Sequence, residues 1–180
     1  MKKYELTTNT KMRFGRKLFQ IKALVSFGDV AAGDLGGYIE KEENLSHDGD
    51  AWVYDRALIF GDARVSGDAR VYGDARVSGD AWVYGDARVY GDAWVHGDAR
   101  VSGNADYICF KGFGSVSRNT TMFRTKNGDV YVRCGCFDGN LKEFSEKVKE
   151  THGSSKYAKE YLACVEVAKI HFEIGEKDDK

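Results

Sequence analysis

The chain has 180 residues, with 27 Lys and Arg against 28 Asp and Glu, a formal net charge of -1 and no proline. That balance excludes a nucleic-acid-binding surface spread over the whole molecule and leaves room only for a local basic patch. No stretch approaches the roughly 18 apolar residues of a membrane span. The N-terminus, Met1-Lys2-Lys3-Tyr4-Glu5, has no apolar leader region, so the expected location is cytoplasmic. The four cysteines, Cys109, Cys134, Cys136 and Cys164, are then expected to be reduced.

In chain order, Tyr4-Glu-Leu-Thr-Thr and the run from Lys17 to Phe27 carry enough β-branched and aromatic residues for two strands of a hairpin. Asp34-Leu-Gly-Gly-Tyr-Ile reads as an entry turn. Residues 1–36 are therefore expected to cap a larger element.

That element is an internal repeat, Gly-Asp-Ala-(Arg/Trp)-Val-(Ser/Tyr/His). Clear copies begin at Gly49, Gly61, Gly67, Gly73, Gly79, Gly85, Gly91 and Gly97, with worn ones at Asp55 and Gly103. Carrying the register upstream adds Gly37-Tyr-Ile-Glu-Lys-Glu and Glu43-Asn-Leu-Ser-His-Asp, so twelve units run from Gly37 to Ile108. A period of six contains a period of two, so Val, Gly and Ala share one side of an extended chain and Arg/Trp, Ser/Tyr and Asp the other. The inward set is small, which demands a slim core. Gly-Asp in each unit marks a turn, because Gly tolerates positive φ and Asp bonds its own backbone.

An aliphatic residue with a small one four positions later recurs from Val53/Ala57 to Val101/Ala105. In this the chain resembles the hexapeptide-repeat, left-handed parallel β-helix family. The resemblance implies a three-sided coil of 18 residues, about four coils, and a homotrimer. Residues 18 apart then stack. One face carries Trp52, Arg70 and Arg88 beside Tyr54, Tyr72 and Tyr90. A second carries Leu58, Arg76 and Trp94, and a third Arg64, Trp82 and Arg100. The unbroken Tyr54–Tyr72–Tyr90 column is the candidate trimer contact, since outward aromatics in a row form a patch that a partner can cover; alternatively it shields the turns.

Beyond the repeat, Met122-Phe-Arg-Thr and Val130-Tyr-Val-Arg-Cys flank an Asn-Gly turn and predict a hairpin. Asn140 suits the N-cap of a helix from Leu141 to about Thr151, and Ser155 that of a second to about Phe172. The expected organisation is a mainly β chain: a capping hairpin (1–36), a hexapeptide-repeat β-solenoid (37–108) and a small α+β domain (109–180).

Candidate chemistry is sparse. His96 replaces the Ser or Tyr of other units, and His47, His152 and His171 lie outside the regular copies. Many hexapeptide-repeat proteins are acyltransferases that use a histidine base, but no long loop interrupts this repeat to build an acceptor pocket, so acyl transfer is the alternative rather than the main expectation. Cys134-Gly-Cys136 with no second cysteine pair is a poor zinc signature; no metal or cofactor is expected, and a strand would place both thiols on one face. Arg118, Arg124, Lys126 and Arg133 cluster near Tyr131 and several phenylalanines, a composition suited either to a nucleotide-like anion or to a solvated hairpin.

Gly-Asp-Leu-Gly-Gly-Tyr-Ile-Glu at 33–40, Glu-Asn-Leu-Ser at 43–46 and Arg-Cys-Gly-Cys-Phe at 133–137 resemble a group of phage and prophage proteins with GDARV-type repeats. That resemblance implies a viral source and no assigned reaction. The resulting expectation is a non-enzymatic trimeric binding protein that counteracts host defence, by sequestering a nucleotide signal or by engaging a defence protein in clefts between solenoid and C-terminal lobe. A self-assembling structural solenoid is the further alternative.

Overall fold

A computed structural model describes residues 1–174. Its backbone contacts divide it into two compact units, Met1–Asn104 and the residues from Ala105 onward.

The first unit opens with an antiparallel hairpin, β1 (Tyr4–Arg13) and β2 (Arg16–Ala23), followed by β3 (Leu35–Ile39). Nine two-residue strands come next: β4 (Trp52–Val53), β5 (Leu58–Ile59), β6 (Arg64–Val65), β7 (Arg70–Val71), β8 (Arg76–Val77), β9 (Trp82–Val83), β10 (Arg88–Val89), β11 (Trp94–Val95) and β12 (Arg100–Val101). Each of the first six pairs in parallel with the strand 18 residues on, which makes three stacks: β4-β7-β10, β5-β8-β11 and β6-β9-β12. This is the expected three-sided parallel β-solenoid, with the predicted columns on its faces. Val and Ala of every regular unit are buried on the axis, and burial of each Val side chain is worth roughly 1.5–3 kcal/mol.

The first coil departs from the expected register. Tyr38 pairs with Leu58, Ile39 with Ile59 and Leu45 with Val65, offsets of 20 rather than 18. Ile39 is the inward aliphatic residue and Gly37 fills the small-residue site, where an added Cβ would overlap the Ala57 carbonyl and Val53. The upstream units thus begin two residues earlier than the repeat pattern suggests. The two extra residues fall near His47, and there the N-terminus docks: the Lys3 amide donates to His47 Nδ1 (3.3 Å), and the Tyr4 ring stacks on the imidazole at 4.3 Å.

A solenoid end leaves unpaired carbonyls. On one face β2 pairs antiparallel with β3 and continues the sheet as β1-β2-β3-β5-β8-β11. On the other two corners side chains take the place of a missing coil. The Asn44 amide nitrogen donates to the carbonyls of Gly61 (3.0 Å) and Ala63 (2.8 Å), while its oxygen accepts from the amides of Glu40 and Lys41. The Lys3 ammonium donates to the equivalent carbonyls of Gly49 (3.0 Å) and Ala51 (2.9 Å). At the far end the Asn104 side-chain oxygen accepts from the Arg88 amide (3.0 Å), where an inner coil would present an alanine carbonyl.

The second unit is an antiparallel meander, β13 (Tyr107–Phe113), β14 (Arg118–Arg124), β15 (Val130–Cys134) and β16 (Phe137–Asn140), followed by α1 (Leu141–His152) and α2 (Lys156–His171). Tyr107 and Ile108, which the repeat pattern assigns to its last unit, are the first residues of β13. The predicted hairpin is the middle of four strands. Asn140 caps α1 by accepting from the Glu143 amide (2.9 Å), and Ser155 caps α2 by accepting from the Ala158 amide (3.4 Å). Met122, Val130, Val132 and Cys134 alternate onto the sheet face that packs with Phe144, Val148, Tyr161, Val165, Ala168 and Phe172 of the helical segment.

Candidate functional site

A cleft of about 570 Å³ opens within the second unit. Its floor is the β15–β16 turn. Because Cys134 pairs with Phe137, Gly135 and Cys136 are the two residues of that turn, and Gly135 takes φ +61° at the first of them, as a tight hairpin of this length favours. The strand placement expected for both thiols is therefore corrected: Cys134 ends β15 and is buried, whereas Cys136 sits at the turn and is exposed. One wall is α1, whose Phe144, Lys147, Val148, Thr151 and His152 share a helical face. Tyr161 of α2 closes the back.

The Thr120 hydroxyl, placed by the register opposite Cys134, donates to its sulfur at 3.1 Å. The Tyr161 hydroxyl donates to the Phe113 carbonyl (3.4 Å), and its ring lies 5.7 Å from both Phe144 and His152. Burial, reinforced by neighbouring Cys134, pushes the Tyr161 phenol up to about 12. Burial likewise pushes the Cys164 thiol up to about 11. Both groups stay protonated at neutral pH. Lys147 is tied to Glu150 (2.9 Å).

Arg118 differs from these. Its side chain lies against Gly135, where any Cβ would overlap the guanidinium. It lines the cleft and, among the described residues, has no hydrogen bond or ion pair.

Of the five residues predicted to bind a ligand, only Arg118 lines this cleft. Arg124 lies at the opposite end of β14, where it donates to the Phe172 carbonyl (2.7 Å), pairs with Asp106 and covers the Phe172 ring, a clasp on the end of α2. Lys126 is exposed in the β14–β15 turn. Tyr131 and Arg133 alternate onto the opposite sheet face, Tyr131 beside Phe123 and Arg133 beside Asp138 (3.5 Å). The structure does not gather the five into one site. Tyr161 and Lys147 were not predicted for it, because the long-range approach of two helices to a turn leaves no local sequence signal.

On the solenoid the predicted tyrosine column forms a ladder: Tyr54 and Tyr72 stack at 4.4 Å, Tyr72 and Tyr90 at 4.9 Å. The Tyr54 hydroxyl donates to Asp29 (2.8 Å), which also pairs with Arg70 (2.7 Å). The bond from Tyr54, with Arg70 adding its charge, holds the Asp29 carboxyl below its ordinary value. The 26–34 loop thus covers the start of the column, with Phe27 edge-on to buried Trp52 at 5.4 Å. Tyr90, at the far end, is 47% exposed. His96 lies beside Trp94 (6.1 Å). No group of three or more His, Cys, Asp or Glu is placed to hold a metal among the described residues, and no described helix is long and apolar enough to cross a membrane.

These features define a parallel β-solenoid protein carrying a compact α+β unit with its own cleft. The repeat is similar to the YdcK Beta solenoid repeat, which matches residues 69–85 and 81–97. A curated relative, the Uncharacterized acetyltransferase YdcK of Escherichia coli (strain K12), is 47% identical over 45 residues, 24% of this chain and 14% of that protein. The likeness thus supports a hexapeptide-repeat β-helix and spans about a seventh of the relative's length.

Proposed function

We propose that the protein is a non-catalytic, self-associating binding protein, in which the solenoid is a scaffold and the cleft of the C-terminal unit takes a small anionic ligand with a flat or apolar body. The observation that supports this reading is Arg118: a cation without a hydrogen-bonded or ionic partner among the described residues, lining a cleft whose other walls are Phe137, Phe144, Tyr161 and His152. A guanidinium recognises carboxylate or phosphate in two parallel hydrogen bonds, and aromatic rings accept a planar base. A nucleotide-like ligand meets both demands. In the phage setting suggested by the sequence resemblance, sequestering a host nucleotide signal would be its use, and the tyrosine face would hold a homotrimer. Calorimetric titration with cyclic oligonucleotides and NAD-derived nucleotides tests the ligand. Binding that Arg118→Met abolishes is expected; no heat with any of them, and no nucleotide released on denaturing the purified protein, refutes it.

The name of the bacterial relative favours a second reading, acetyl transfer. Turnover of acetyl-coenzyme A that depends on His96 would establish it in place of the first.

A further inference from the structure

The cleft holds chemistry that ligand binding does not use. Cys134 and Cys136 both line it, both are free thiols, and they differ in kind. Cys136 is exposed at the turn. Cys134 is buried behind it, its sulfur held by the Thr120 hydroxyl. Only Gly135 separates them. Two peptide units span at most about 7 Å between the outer Cα atoms, and a tight turn brings them closer. A disulfide needs roughly 4.4–6.8 Å. The residue between the thiols is also the one against which Arg118 lies. A positive charge there attracts an incoming anion.

We propose that Cys134-Gly135-Cys136 is a thiol–disulfide exchange site, with Cys136 as the attacking thiol, Cys134 as the resolving thiol, and an anionic low-molecular-weight disulfide as the co-reactant drawn in by Arg118. Cys136 gives its proton to solvent, and its thiolate attacks one sulfur of the disulfide. A protein–reagent S–S bond forms, the reagent's own S–S bond breaks, and the departing thiolate takes up a proton. Cys134 then loses its proton and attacks the Cys136 sulfur. The mixed disulfide breaks, the second reagent thiol leaves protonated, and a Cys134–Cys136 bond remains. The dithiol has lost two electrons and two protons; the reagent has gained both. Closing so small a ring strains the bond, which makes it readily reducible and the site reversible. The proposal rests on an anion entering this cleft, not on the ligand being a nucleotide.

Glutathione disulfide is the probe, with intact-mass and peptide mass spectrometry on the full chain and no nucleotide present. Wild-type protein is expected to lose two hydrogens, release two equivalents of glutathione and map a disulfide to Cys134–Cys136. Cys134→Ser is expected to stop at one glutathionyl group on Cys136. Adding Arg118→Met slows that step about tenfold, while its rate with the cationic disulfide cystamine does not fall. A wild-type adduct that persists unresolved, or a Cys134→Ser adduct confined to exposed Cys109, overturns the proposal. The wild-type result does not depend on any variant folding. Exchange without nucleotide binding would sink the nucleotide reading and leave this one, and the reverse holds equally.

Discussion

Asn44 is the residue on which the start of the solenoid depends, and its replacement by alanine is the sharpest test of the fold's physics. Its side chain is fully buried and makes four hydrogen bonds, two given and two accepted. Alanine leaves the Lys41 amide and the Gly61 and Ala63 carbonyls without these partners, while the Glu40 amide keeps its bond to the Ile59 carbonyl (3.0 Å). An unsatisfied buried group costs roughly 1–3 kcal/mol. The Ala63 carbonyl is buried and carries the middle of that range; the Gly61 carbonyl and the Lys41 amide are partly accessible to water and carry its lower end. The sum is about 4 kcal/mol, a large part of the whole stability of many domains. The three tryptophans, Trp52, Trp82 and Trp94, all lie in the first unit. Their fluorescence during urea unfolding therefore reports the solenoid alone, while far-ultraviolet dichroism at helical wavelengths follows α1 and α2. Asn44→Ala is expected to shift the fluorescence transition strongly. Asn44→Asp preserves shape but faces two carbonyls with an anion. Its folded-state pKa is then raised above the unfolded value, so its deficit against wild type is full above the folded pKa and shrinks as pH falls through it. A fluorescence midpoint within about 1 kcal/mol of wild type for Asn44→Ala would refute the claim that side-chain capping closes this corner.

Gly67 and Gly91 share φ +67°, but a Cβ on Gly67 would lie 3.0 Å from the Gly85 amide of the next coil, whereas Gly91 faces open space. Gly91→Ala should cost about 1 kcal/mol for left-handed backbone alone, and Gly67→Ala measurably more in the same urea assay; equal costs would show that coil stacking does not constrain the turn. Tyr72→Glu places a charge in the middle of the stacked ladder, and light scattering should find a smaller particle than wild type; unchanged mass would end the proposal that this face holds subunits together. Burial lowers the Lys3 ammonium to about 8 against an ordinary 10.5, with Asp50, Asp48 and Asp68 opposing the shift. The folded state then binds fewer protons than the unfolded one between those values, so Lys3 makes stability rise from pH 8 toward 10.5. Burial raises the Tyr4 phenol above its ordinary 10.0, which makes stability rise further above pH 10 only if the phenol ionised more readily when folded; the shift is the reverse, so the folded state holds its proton and stability falls above pH 10. A solenoid melting temperature that peaks near pH 10 and loses its rising limb in Lys3→Met is expected.

The solenoid was legible because every regular unit repeats the same local instruction. Val and Ala alternate inward, Gly and Asp turn the chain, and pairing at 18 residues results from stacking like on like. The columns Trp52–Arg70–Arg88 and Arg64–Trp82–Arg100 could be written down from the sequence and recur in the strand register. The upstream register was not legible. Gly37 looks like the turn glycine of a unit, yet it occupies the site of an inward alanine. Glycine serves both places, and only the partner strand distinguishes them. The cleft was less legible still. Arg118, Arg124 and Arg133 are near one another in sequence, but β pleating sends them to different faces and opposite strand ends.

The departures from the repeat carry more information than its copies. A perfect solenoid has no ends, and three residues outside the regular pattern here serve to close one. Asn44 supplies two N–H groups to one corner, Lys3 supplies its ammonium to another, and Asn104 supplies an acceptor at the far end. In an unknown β-solenoid, polar side chains at worn positions are therefore to be tried first as substitutes for a missing coil, before any chemistry is assigned to them. The same reasoning explains why the cleft in the second unit is the better candidate for function. There Arg118 lines the cleft with no hydrogen bond to a backbone group among the described residues, and Cys136 is exposed at the turn. A polar residue whose bonds all go to the chain is explained by the fold; one that lacks such bonds and lines a cavity asks for a ligand.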